Sequence, residues 1–313
     1  GYDFYQTYNM KYGYAAINLT LGAEKIQVNR SMVKRTFVEK GIAYASTLAL
    51  ANVIDLEKVI DWNIQNNLLF YRMSSDMFPW MSEYEIVDMP DYETISAILA
   101  RCGQKANESG LRLTFHPGPF NVLATNTGTV LTNTIKELKQ HAEIIDLLQL
   151  PQTCFAKINI HVGGAFGDKV SALSRFAESY MNLPDNTRKR LTVENDDKAN
   201  MFNVKDLLWL HEQTNIPVVF DYFHHQFCTG NLSEQEAFMA AISTWPEDVI
   251  PVVHFSSSKK KYEDPSSPPT AHADYIYDEV KTYGQVVDVM LEAKAKEAAV
   301  MEYQQILKYV YEK

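Results

Sequence analysis

The stretch IPVVFDYFHHQFC, residues 216–228, runs apolar and then meets Asp221, His224 and His225. A carboxylate and an imidazole three residues apart, where a chain leaves a strand, can turn toward one ion or bridge two. His225 points elsewhere in this reading. The pattern recurs along the chain: His116 follows LRLTF, His161 follows INI, Glu194 closes LTVE, His254 lies in VVHF and Glu292 follows DVML. Six consecutive apolar runs thus end in a metal-ligand residue type. Gathering so many imidazoles and carboxylates without cations would leave buried, mutually repelling charge, and divalent ions supply the compensation. A set without thiolates suits zinc, manganese or iron, and it exceeds what one ion can use, so two or three ions are expected. Clustered ions suit in-line displacement at phosphorus: one polarises the phosphoryl oxygens, one generates hydroxide and one takes charge on the leaving oxygen. A phosphodiester is the natural substrate. Catalysis then runs through Glu194, His161 and His254 by way of the ions they hold, without a side-chain nucleophile.

The elements that must position these residues can be read from periodicity. Eight short β-branched or aromatic runs are expected as strands, at 14–21, 68–75, 111–118, 155–164, 190–197, 216–223, 249–257 and 285–294. Helical spacing fills the gaps, in LEKVIDWNIQNN, DYETISAILARCGQKANESG, TNTIKELKQHAEIIDLLQL, VSALSRFAESYMNL and VKDLLWLHEQTN, and again in AKEAAVMEYQQILKYVYEK after the last run. Eight strands alternating with helices predict a single-domain (β/α)8 TIM barrel over residues 1–313, a fold of roughly 250 residues with room for insertions. In that fold chemistry sits at the C-terminal ends of the strands, where Asn18, Ser74 and Ser75 join the residues above. No GxGxxG or GxxxxGK[ST] follows the first run, which removes the usual nucleotide-binding readings of an open sheet.

Composition is consistent with this picture. The hydrophobic fraction of 46% and aromatic fraction of 12% are those of a globular chain, and no run of apolar residues is long enough for a membrane span. Cys102, Cys154 and Cys228 form no CxxC pair and fit a reducing compartment, each as a small core residue. The start, GYDFYQTYNMKYGY, shows no basic segment followed by an apolar one, so no secretory leader is expected in it. A net charge of −10 argues against a surface that grips nucleic acid everywhere. Lys259, Lys260 and Lys261, just beyond the seventh strand, and Lys34 and Arg35, after the first, make the mouth locally basic and suit phosphate contacts. Ser256, Ser257 and Ser258 sit in no GxSxG elbow and read as loop residues.

With these residues in view, the chain resembles the UV damage endonucleases, a metal-dependent branch of the barrel shared with endonuclease IV-type and xylose-isomerase-like enzymes. The resemblance spans roughly residues 12–300 and is carried by GYAAINLTL, NRS at 29–31, LEKVIDWNIQNNLLFYRMSSDMFP, HPGPFNVL, INIHVGG, VENDD, DYFHH, VVHFSSS, AHADYI and DVMLEAKAKE. It implies an endonuclease that nicks double-stranded DNA immediately 5′ to ultraviolet photoproducts and some other distorting lesions, with up to three ions, often manganese; magnesium, zinc and iron are the other candidates. It implies His116, His161, Glu194, Asp221, His224, His254, His272 and Glu292 as ligands, and thereby adds His272. It also implies that Tyr14 and Asn18 contact DNA at the lesion.

The chain departs from the family pattern at two places. Family members usually read HPGQ followed by an aromatic where this chain has His116, Pro117, Gly118, Pro119 and Phe120, so the residue pair that probes the damaged helix is Pro119–Phe120. Phe120 retains the capacity to wedge into a stack, which costs least where a lesion has weakened it. The family also tends to carry a lysine, sometimes carboxylated as a metal bridge, where this chain has Val252, which implies one bridge fewer. Two other functions fit parts of the pattern: a sugar isomerase or epimerase on the same scaffold, which normally holds its ions mainly by carboxylates, and a non-catalytic factor that binds damaged DNA. A monomer suits a protein that bends a duplex across its mouth.

Overall fold

Eight short strands alternate their side chains between two environments, and this alternation sets the architecture. In the computed structural model, which describes residues 9–311, the strands are β1 (Tyr12–Ala15), β2 (Phe70–Met73), β3 (Arg112–Phe115), β4 (Ile158–Ile160), β5 (Leu191–Glu194), β6 (Val218–Asp221), β7 (Val252–Phe255) and β8 (Asp288–Leu291). They pair in sequence order, all parallel, and β8 closes on β1. The expected (β/α)8 barrel is therefore the observed one. The helices that follow the strands are α1 (Lys34–Gln65), α2 (Tyr92–Ser109), α3 (Gly128–Leu147), α4 (Lys169–Met181), α5 (Val204–Thr214), α6 (Glu234–Ile242), the single turn α7 (Lys259–Tyr262) and α8 (Glu297–Tyr311).

One set of strand positions faces the helices. Tyr71, Leu113, Phe115, Ile158, Ile160, Val193, Phe220 and Val253 join a continuous core with residues such as Ile95, Leu99, Leu138 and Phe176 from the helices. The helical faces repeat as expected, α2 burying Ile95, Ile98, Leu99, Cys102 and Ala106 on one stripe before Gly110, at φ 75°, ends it. The alternate positions point into the barrel, where Phe70, Val219, Val252 and Met290 pack in a second, smaller cluster. Gly13 leaves room for them, since a Cβ there would lie 2.8 Å from the Phe70 ring and 2.4 Å from its carbonyl oxygen. At the barrel floor the buried Arg112 pairs with Asp288 at 3.0 Å and donates to the carbonyls of Phe155, Ile250 and Cys154.

The strands are shorter than the sequence suggests, three or four residues each, so several site residues stand just past a strand end. The first run is the clearest correction. It was expected as a strand over 14–21, but β1 occupies Tyr12–Ala15, Ala16 turns to φ 59°, and Leu19–Gly22 form a helical turn capped by the Asn18 side chain. A left-handed residue followed by an N-cap ends extended backbone whatever the apolar content beyond it. All three cysteines are buried and unpaired, as expected of core residues. Among the described residues no helix is long and apolar enough to cross a membrane. The first eight residues of the N-terminal stretch and the last two of the final helical segment lie outside the described residues.

Candidate metal centre

The inward positions that hold apolar residues near the floor hold ligand types two residues further on. Val219 is succeeded on that face by Asp221, Val252 by His254 and Met290 by Glu292, because side chains on one face of a strand recur every second residue. His116 and His161 immediately follow β3 and β4, and Glu194 and Asp221 close β5 and β6. Six strands therefore converge their last inward side chains on the mouth.

Glu194 is the hub. Its fully buried carboxylate lies 3.1 Å from His116 Nε2, 3.3 Å from His161 Nε2, 3.4 Å from His224 Nδ1 and 3.1 Å from His254 Nδ1, and it accepts a hydrogen bond from Asn159 Nδ2 at 2.9 Å. Two groups of potential ligand atoms result, each lying within 4.8 Å: His116, His161 and Glu194, and Glu194, Asp221, His254 and Glu292. Glu194 belongs to both, so its carboxylate could serve two ions.

The imidazoles are oriented by their second nitrogens. His116 Nδ1 meets the Pro117 carbonyl at 3.1 Å and His161 Nδ1 meets Asp196 Oδ1 at 2.7 Å, whereas in His224 the Nδ1 that lies near Glu194 also meets the Asn195 carbonyl, at 2.8 Å. In the neutral rings of His116 and His161 a proton on Nδ1 would leave Nε2 with its lone pair, the arrangement found behind metal-bound histidines. His254 is turned the other way: Arg72 Nη2 stands 3.2 Å from Nε2 and, as a guanidinium, can only donate to it. The neutral ring then carries its proton on Nδ1, facing Glu194, and that proton would have to leave for the nitrogen to hold a cation. Arg72 also pairs with Glu292 at 3.0 Å.

The donor set fits cations. Asp221 Oδ2 is buried with no hydrogen-bond partner, and His254 Nδ1, also buried, lies 3.1 Å from Glu194 without making an aligned hydrogen bond. Burial and the nearby charges of Glu194 and Glu292 push the Asp221 carboxyl well above the usual carboxylate range. Burial acts the same way on Glu194, but His254 and His161, with bonds from His116 and His161, hold it well below that range. Burial disfavours a charged His161, yet Glu194 and Asp196 outweigh it and raise its pKa well above the ordinary imidazole value. Burial lowers His254 to about 4, with Arg72 adding to the effect. A site that must otherwise borrow protons to balance its carboxylates is one that divalent ions neutralise directly.

Six of the eight residues expected as ligands fall in these two groups, and His224 stands against them, its Nδ1 3.4 Å from Glu194 and 3.5 Å from Asp221. His272 stands beside them, in ring contact with Phe223 and tied by an antiparallel bridge to Ser258, outside the two ligand groups. His225 turns away, as expected, with Nε2 against the Leu232 carbonyl. Val252 is packed in the apolar cluster below His254. Pro119 and Phe120 occupy the centre of a turn closed by Asn121 N–H donating to Gly118 O at 3.1 Å, which leaves Phe120 87% exposed. Lys260 and Lys261 are exposed on α7 and Lys259 is partly so.

Tyr14 and Asn18, expected to contact DNA, are both buried in this structure. Tyr14 has the strand parity that faces the helices; it is fully buried and donates its hydroxyl to Asn63 of α1 at 2.7 Å. Asn18 donates to that hydroxyl and caps the following turn through its carbonyl oxygen. Sequence reasoning also missed Arg72, Asn159, Asn195 and Asp196. Asn195 and Asp196 lie in the quoted VENDD segment, and Arg72 and Asn159 share the inward parity of the ligands, which was the signal available.

A profile of the UV-endonuclease UvdE family matches residues 10–312. The chain belongs to that family. It is 32% identical over 300 residues to a UV-damage endonuclease of Schizosaccharomyces pombe, covering 93% of this chain and 49% of that protein. To a UV DNA damage endonuclease of Clostridium perfringens it is 31% identical over 301 residues, covering 94% of this chain and 69% of the relative. The crystal structure of SacUVDE superposes with a TM-score of 0.84 at 31% identity, covering 97% of this chain and 99% of that one. The resemblance read from the sequence motifs is thus the family assignment. The S. pombe protein is about twice as long as the part that this UvdE chain matches.

Proposed function

We propose that the protein is a metal-dependent hydrolase that nicks double-stranded DNA 5′ to ultraviolet photoproducts and other distorting lesions. The observation that carries the reading is Glu194, one buried carboxylate shared by two adjacent ligand groups. The names of the relatives support the DNA substrate and the lesion class.

His116, His161 and Glu194 would hold one ion, and Glu194, Asp221, His254 and Glu292 a second; His224 and His272 stand ready for a third or for completing either shell. Manganese is the ion we favour. When bound, such ions polarise the phosphodiester, lower the pKa of water and take up charge on the leaving oxygen. The chain's own residues do the rest. Asp196, the Pro117 carbonyl and the Asn195 carbonyl fix the ring orientations, and Asn159 holds Glu194 in place. Arg72 keeps His254 and Glu292 aligned across the barrel. Lys259, Lys260, Lys261, Lys34 and Arg35 supply phosphate contacts, which position the duplex without reading its sequence. Phe120, at the tip of its turn, enters a stack that the lesion has loosened, and Pro119 fixes the turn beneath it. The protein acts as a monomer.

The test is an end-labelled duplex carrying one defined photodimer, incubated with manganese. The wild type is expected to cut immediately 5′ to the dimer. Glu194→Ala and His161→Ala are expected to lower cutting by more than a thousandfold with the circular dichroism spectrum unchanged. Either variant retaining activity within tenfold of wild type would contradict the assignment.

A further inference from the structure

Two mouth loops pack on each other, and each lifts a phenylalanine into solvent. One runs from His116 and carries Phe120. The other runs from His161 through Val162, Gly163, Gly164 and Ala165 to Phe166, which is 60% exposed and belongs to neither core cluster. The loops touch where Gly163 and Gly164 lie against Val122: a Cβ on either would come within 3.3 Å of its methyl carbons.

Phe166 is held in place from several sides. Its backbone sits at φ 48°, a left-handed conformation that costs a residue with a side chain and persists only where the surroundings enforce it. The Arg175 guanidinium stacks on the ring 5.7 Å from its centroid. The same guanidinium donates from Nε to the Ala124 carbonyl at 2.7 Å and from Nη2 to the Gly164 carbonyl at 3.1 Å, so it ties both loops together behind the ring. Just past Phe166, Asp168 caps α4 by accepting from the Ser171 amide and hydroxyl. A strained, buttressed and solvent-facing aromatic adds little to the core. Fixed orientation at an exposed site is what a stacking platform needs, because it is ordered before its partner arrives.

We propose that Phe166 is a second base-stacking residue, which receives a nucleobase or base pair flanking the lesion while Phe120 enters the lesion itself. The proposal rests on the nuclease reading above. Its location favours a nucleobase as partner: the ring is five residues past His161, on a loop packed against the one that carries Phe120. Stacking on an aromatic face needs no particular base, so Phe166 would add affinity for any flanking sequence.

The experiment uses manganese-loaded protein and a duplex with one photodimer and 2-aminopurine in place of a base beside it, in a series of duplexes that move the probe along both strands. Wild type is expected to quench the probe at one flanking position before cutting. Phe166→Trp keeps the quench. Phe166→Leu and Phe166→Ala lose it and raise KM about tenfold, with kcat, metal content and melting temperature near wild type. Leucine retains apolar bulk without a π face, so its failure separates stacking from simple packing. If the wild type cuts while Phe166→Leu keeps both the quench and KM within twofold, this proposal alone is overturned. A wild type that does not cut lesion-bearing duplex overturns the nuclease reading and this proposal together.

Discussion

His161 shows how single residues divide the labour of the centre. Its Nε2 faces Glu194 while its Nδ1 is held by Asp196, and these two carboxylates, working against burial, raise its pKa well above the usual value. The sign follows directly: a raised pKa means that the metal-free site keeps the proton through neutral pH, so a cation arriving at Nε2 must release it. Metal affinity is therefore expected to climb with pH until that proton is lost, and calorimetric titrations in buffers of different ionisation enthalpy should record proton release at pH 7. Asp196→Ala removes the group that orients the ring and is expected to weaken metal binding about 10- to 100-fold. Unchanged affinity in that variant would remove Asp196 from the account. The clustered candidate ligands were legible in the sequence because histidine and glutamate at the end of an apolar run are conspicuous. Arg72 was not, since an arginine inside FYRM reads as a partly exposed strand residue until the barrel closes and its parity turns it inward. Tyr14 shows the complementary case: it neighbours an inward position, Ala15, but its own side chain faces α1.

At the scale of elements, strand parity does most of the positioning. The face that carries Val219, Val252 and Met290 lower down carries Asp221, His254 and Glu292 at the mouth, so the apolar packing of one layer fixes the direction of the next. Alternation and strand number were readable in the sequence. Strand ends were less so, because short buried strands and their flanks have the same composition, and a local device such as the left-handed Ala16 and the Asn18 cap decides where β1 stops. The barrel floor tests how far this support extends. Arg112 and Asp288 join β3 to β8 as a pair withdrawn from water, at the opposite end of these strands from His116 and Glu292. Removing one partner leaves the other charge buried and unpaired, so Asp288→Ala is expected to cost about 3–5 kcal/mol in a denaturant melt. A loss below 1 kcal/mol would show that the floor does not depend on this pair.

On the scale of the whole molecule, one closed barrel collects side chains spread from residue 116 to residue 292 onto a single rim. Its net charge of −10 is no obstacle to the phosphate substrate proposed above, because bound cations and the lysines of α7 would reverse the sign locally at the mouth. Folding thus gathers three carboxylates and their imidazoles, buried or half-buried, into one cluster, in which Asp221 Oδ2 is buried without a hydrogen-bond partner. The most direct measurement is the metal content of carefully purified protein after manganese loading and removal of free ion, set beside that of Glu194→Ala. Two or three ions per wild-type chain, with a loss of at least one in the variant, is the result expected. No ion retained by the wild type, or the same number in both proteins, would contradict the account.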